Sequence, residues 1–110
     1  MSLLDSYRRG YQDCSSKIAT ARTKRSREIE NISKEHSKII SLRNQMNNSR
    51  SESTIKSKAK EIERCNNNIS RFQTNIARID KEITNFEKKK NEYDQKITNE
   101  EIKISQQNQQ

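Results

Sequence analysis

Proline, tryptophan and valine are absent from this sequence of 110 residues, and there is a single glycine, Gly10. Most of the turn chemistry of a multi-strand sheet is therefore missing. That excludes a β-sandwich, a small barrel and any βαβ unit. Apolar residues are scarce as well, at 27%, where a compact domain carries nearly half. No apolar run approaches the roughly 18 residues of a membrane span. The opening Met1-Ser2-Leu3-Leu4-Asp5 has neither the basic nor the apolar region of a secretory signal. Cys14 and Cys65 are too few for a disulfide framework or a metal set. They fit a reduced, cytoplasmic chain in which cysteine serves as a small hydrophobe.

What is present is isoleucine at fixed spacing: fourteen of the thirty hydrophobic residues are Ile. Stepping by sevens from Leu4 gives Tyr11, Ile18, Arg25, Ile32, Ile39 and Met46. A second series runs Ile55, Ile62, Ile69, Ile76, Ile83, Lys90, Ile97 and Ile104. With these as a positions, the d positions read Tyr7, Cys14, Ala21, Glu28, Glu35 and Leu42, then Lys58, Cys65, Phe72, Ile79, Phe86 and Tyr93. A 3-4 apolar alternation sustained over this many heptads is the signature of a coiled coil, and a strict seven-residue period favours left-handed supercoiling. Between the series, residues 47–54 are polar and rich in cap formers. Ser49 with Glu52, or Ser51 and Ser53, offers a hydroxyl to the unpaired amides of a new helix, as Ser2 with Asp5 does at the start.

The expectation is an all-α fold: a long antiparallel two-helix coiled-coil hairpin, pairing into a four-helix bundle. It forms one domain over residues 1–110, with helix 1 at about 3–48, a turn at about 49–52, helix 2 at about 53–105 and a frayed tail at 106–110. Orientation follows from the flanking charges. In an antiparallel pair e faces e, which brings Arg8 and Arg22 beside the row Asp80, Glu87, Asp94 and Glu101. The other edge is basic on both helices: Lys17, Lys24 and Lys38, with Lys89, Lys96 and Lys103. These six are the candidate partner-binding edge. The candidate seam contacts are Ile18, Ile32, Ile39, Ile62, Ile69, Phe72, Ile76, Ile79, Ile83 and Phe86. One seam buries too little area to stand alone comfortably, and Ile29, Ile40 and Ile102, off the main stripe, offer a second contact.

No phosphate-binding loop, nucleotide fingerprint or nucleophile motif occurs, so no catalytic residue, cofactor or metal ligand is expected. His36, the one histidine, falls beside the seam without convergent Cys or carboxylate partners. Glu28 and Glu35, at d positions, read as polar breaks that fix register, with Arg25 as a partner. Lys90 at an a position marks a wet layer, and Tyr7, Tyr11 and Tyr93 form an aromatic layer at the open end. The segment Lys17–Arg27 holds five cations and no acid in a chain of net charge +8, which makes a phosphate backbone a conceivable partner. It lacks interleaved aromatics, so nucleic acid is the weaker expectation.

The run from Ser51 through Glu52, Ser53, Thr54, Ile55, Lys56, Ser57, Lys58, Ala59, Lys60, Glu61, Ile62 and Glu63 to Arg64, with the opening residues Met1 to Arg8, resembles the N-terminal coiled-coil segment of bacterial proteins that carry a C-terminal TIR or similar effector domain. In that family an S-x-S-T-I-K-S-K connection joins two Lys/Glu/Ile-rich helices. The resemblance covers nearly the whole chain, its specific part is the connection, and it implies an oligomerising or adaptor module in bacterial defence signalling. No effector domain stands within these residues, so TIR-type NAD hydrolysis is not carried over. The expectation is a non-enzymatic adaptor that scaffolds or regulates a bacterial effector, partnered by itself as a homodimer or higher and by a helical segment of that effector. The alternative is a small helical partner of a secreted toxin, although the W-x-G turn of such hairpins is replaced by Asn48-Ser49-Arg50.

Overall fold

A computed structural model describes residues 2–109. It contains two helices, α1 at Leu3–Asn47 and α2 at Glu52–Asn108, and no strand among the described residues. Each helix begins on a serine. Ser2 Oγ accepts the amide of Asp5 at 3.1 Å, and Ser51 Oγ accepts the amide of Thr54 at 3.3 Å. Each serine hydroxyl thereby satisfies one of the first-turn donors that have no intrahelical acceptor. Ser51 also donates its own amide to Ser49 Oγ at 3.2 Å, which tightens the link. The cap is thus Ser51 alone, and α2 starts at Glu52 rather than about 53. At the other end, α2 continues to Asn108 where a frayed tail was expected from residue 106. Gln is a good helix former, no Gly or Pro intervenes, and propagating an existing helix costs little. Gln110 lies outside the described residues.

The helices are antiparallel and pack as two units. One joins α1 up to Thr23 with α2 from Ile79, and the other is Lys24–Arg78. Within the first, Cys14, Ile18, Ala21 and Ile79 are buried. Within the second, Ile39, Leu42, Cys65 and Ile69 form the core, with Ile32 and Ile62 against it. Every a and d position from Leu4 to Met46 and from Ile55 to Ile104 is buried or half-buried, the polar ones included. The seam is therefore continuous in the heptad frame of the sequence, and its occupants decide how well each layer closes.

Candidate interaction surfaces

Of the candidate seam residues, Ile18, Ile39, Ile69 and Ile79 are buried, while Ile32, Ile62, Phe72, Ile76, Ile83 and Phe86 are half-buried. The e edge pairs by charge in the first unit: Arg8 meets Glu101 at 3.6 Å and Arg22 meets Glu87 at 3.2 Å. Both pairs are about half-exposed, so each contributes at most about 1 kcal/mol. They fix which helix edges face one another.

The six lysines of the candidate basic edge are all exposed, but three are engaged within the hairpin. Lys17 Nζ lies 5.6 Å from the centroid of the Phe86 ring. Lys96 sits over both Tyr7 and Tyr93, at 5.6 and 5.5 Å. Lys38 bonds Glu35 at 3.4 Å. Lys24, Lys89 and Lys103 are the remaining three. Lys90, expected to mark a wet layer, instead places its ammonium 5.1 Å from the Tyr11 centroid. Cation–π attraction lets a long stem cover the aromatic while its charge stays near water. The tyrosines of the open end are thus each roofed by a lysine. The Tyr93 ring also occupies the spot that a Cβ of Gly10 would take.

The polar seam positions Glu28 and Glu35 each meet groups on α2. Glu35 is buried, and its Oε1 accepts from Lys38. Its Oε2 is buried without a partner in hydrogen-bond geometry. The Cys65 thiol does most to hold the carboxyl below its usual value of 4.5; desolvation opposes this, and Lys38 and Asn68 add to the lowering. The thiol and the Asn68 amide therefore act on the carboxylate as nearby dipoles. Burial pushes the Cys65 thiol up from its usual 9.0, with Glu35 adding to the rise. Lys38, Cys65 and Asn68 are thus the groups that act on Glu35. Glu28 is half-buried and accepts from Asn75 Nδ2 at 3.4 Å. A shallow groove of about 340 Å³ opens beside Glu35, lined also by Lys38, Leu42, Glu61, Arg64, Cys65 and Asn68.

Two edges of the second unit contrast in charge. On the e and b side, Ser26, Ile29, Ser33, His36 and Ile40 of α1 and Asn66, Ser70, Gln73 and Ala77 of α2 form an exposed stretch without formal charge at pH 7, bounded towards the turn by the exposed Arg43, Lys56 and Glu63 of the same side. Ile29 is 45% exposed and Ile40 60%. On the g and c side, α2 presents Arg64, Arg71 and Arg78 at heptad spacing, with Lys24, Arg27, Lys34 and Lys38 on α1. This arginine row lies at c positions, outside the e and g positions that flank the seam. The c-position heptad repeat was its signal. His36 is exposed, and among the described residues no group of three or more His, Cys, Asp or Glu side chains is placed to hold a metal ion. Nor is any helix among them long and apolar enough to cross a membrane.

Comparison with protein-family models, with curated proteins and with solved structures finds no match to this chain.

Proposed function

We propose that this chain is a non-enzymatic coiled-coil adaptor that acts in the bacterial cytoplasm by pairing its hairpin with a second copy, and thereby scaffolds or regulates an effector protein in defence. The observation that carries the pairing is the uncharged stretch of the e and b edge of the second unit, which on α1 runs from Ser26 to Ile40. In a chain of net charge +8 with 35% charged residues, two copies repel one another wherever lysines meet. The face with Ile29 and Ile40 avoids that cost. It is also self-complementary. With a twofold axis between Lys34 and Glu35, Ile29 of one copy meets Ile40 of the other, and Ser33 meets His36, as an isologous interface requires. The seam itself supports the need for a second layer, since even its most buried hydrophobics, Ala21 and Ile39, remain 4% exposed. Two free, buried thiols fit a reducing compartment. The link to an effector and to defence comes from the resemblance of the Ser51–Arg64 connection.

The test is absolute mass by light scattering for the wild type and for the double variant Ile29→Lys/Ile40→Lys, with capture from a bacterial host alongside. A wild-type dimer that becomes a monomer of undiminished helicity supports the pairing face. A monomeric wild type at micromolar concentration overturns the self-pairing. A dimer that recovers no protein bearing an effector domain removes the regulatory part.

A further inference from the structure

The two carboxylates in the seam of the second unit belong to a repeated arrangement. Asn75 donates through Nδ2 to Glu28 Oε2 at 3.4 Å and accepts through Oδ1 from Arg78 Nη2 at 3.1 Å. One heptad away, Asn68 stands beside Glu35 on the groove wall and accepts through Oδ1 from Arg71 Nη2 at 3.3 Å. A seam glutamate, a half-buried asparagine and an exposed arginine thus recur in the same order, moved seven residues on each helix. Without the glutamate, the amide would be free to turn over. At Asn75 the NH₂ end points inward to Glu28 and the carbonyl end faces outward to hold a guanidinium; at Asn68 the carbonyl end holds Arg71 in the same way. Arg71 is further steadied over the Phe72 ring, 5.5 Å from its centroid.

We infer that Arg71 and Arg78, held by Asn68 and Asn75, form a docking row for an acidic helix whose carboxylates recur every seven residues, the effector-side partner of the adaptor. This rests on the adaptor reading above and names the chemistry of its partner. The row is unbalanced as it stands: the neighbouring cations Lys24, Arg27 and Arg64 share this side with Glu61, which is drawn to Lys58 at 3.9 Å. Heptad spacing places the guanidiniums roughly 10.5 Å apart along the axis. An acidic helix with the same period matches that axial spacing and turns only about 20° per heptad, which left-handed supercoiling removes. A duplex strand does not stay in step, because with about 10–10.5 base pairs per turn its phosphates rotate away from a straight row. Held guanidiniums also lose less freedom on bonding a carboxylate than lysines do, and can bond it with both nitrogens.

The experiment measures fluorescence anisotropy with the full chain. One labelled helical peptide carries Glu at every seventh position, a second has the same composition with irregular Glu spacing, and a short DNA duplex serves as the third probe. The regular peptide is expected to bind tightest, and Arg71→Gln/Arg78→Gln to weaken it about tenfold. The control Lys56→Gln/Lys60→Gln removes the same charge from the exposed far side of α2 and is expected to change it less than about twofold. Equal binding of the two peptides, equal losses in the two variants, or tighter binding of the duplex would each overturn the inference. Both arginines are exposed, so the variants keep their helicity. Their mass by light scattering separates failure of this row from failure of self-pairing, which uses the opposite edge.

Discussion

Glu35 occupies a d position where leucine is the usual occupant, and it gains little there as a source of stability. Its carboxyl is buried with one oxygen unpartnered, so a well-packed apolar replacement removes a desolvation penalty. Glu35→Leu is expected to raise unfolding stability by about 1 kcal/mol while loosening Arg71, read as weaker binding of the acidic peptide. The acid limb tests the same residue from the other side. Because the folded carboxyl lies below its usual 4.5, with the Cys65 thiol the largest cause, the ionised form is favoured by folding. Its contribution is fully present above 4.5 and is lost as pH falls through the lower folded value. Glu35→Gln is therefore expected to be less stable than the wild type near neutrality, with the gap closing on acidification, as followed by urea titration at stepped pH. A gap that widens in acid would show that the carboxyl is held neutral by its burial. Gly10 gives the same lesson about single positions. It is the one glycine in the chain, it lies inside α1, and helix propensity disfavours it there. The Tyr93 ring accounts for it by filling the place of a side chain.

At the scale of the helix, the two caps decide where the chain turns. Ser51→Ala removes the acceptor for the Thr54 amide and the partner of the Ser53 hydroxyl, 3.1 Å away. The expected cost is about 1 kcal/mol, measured by denaturant titration, with Ser51→Asp restoring most of it because a carboxylate accepts the same bond and suits the helix dipole. Ser53→Ala, at a position that caps nothing, is expected to be close to neutral. The helices, their antiparallel sense and the seam register were legible in the sequence because each rests on a period: isoleucine every seven residues, and acids on α2 set to meet Arg8 and Arg22. What was not legible depends on side-chain reach across the seam. A lysine stem long enough to roof an aromatic draws Lys17, Lys90 and Lys96 over rings of the hairpin, where heptad position alone suggested a free basic edge and a wet layer. The Glu–Asn–Arg arrangement needed the facing register as well as the spacing, since its members lie 47 residues apart between Glu28 and Asn75.

For the molecule as a whole, charge opposes the fold more than it supports it. The excess is +8, and one side of the second unit carries Arg64, Arg71 and Arg78 beside Lys24 and Arg27. Against this stand cross-helix ion pairs such as Arg8–Glu101 and Arg22–Glu87 of the first unit, both about half-exposed and each limited to about 1 kcal/mol. Added salt shortens the range of both effects, to about 8 Å at physiological ionic strength and about 3 Å at 1 M. Contacts between neighbouring ions are screened least, whereas repulsion summed over many cations at longer distances is screened most. Thermal stability followed by circular dichroism is therefore expected to rise between about 20 and 500 mM sodium chloride, at fixed protein concentration so that pairing does not move the midpoint. Arg8→Gln/Arg22→Gln should steepen that rise, because it removes two cross-helix attractions between full charges that salt weakens. A midpoint that falls with salt would mean that those two pairs outweigh the repulsion, and would make the e edge, rather than the isoleucine seam, the principal support of the antiparallel arrangement.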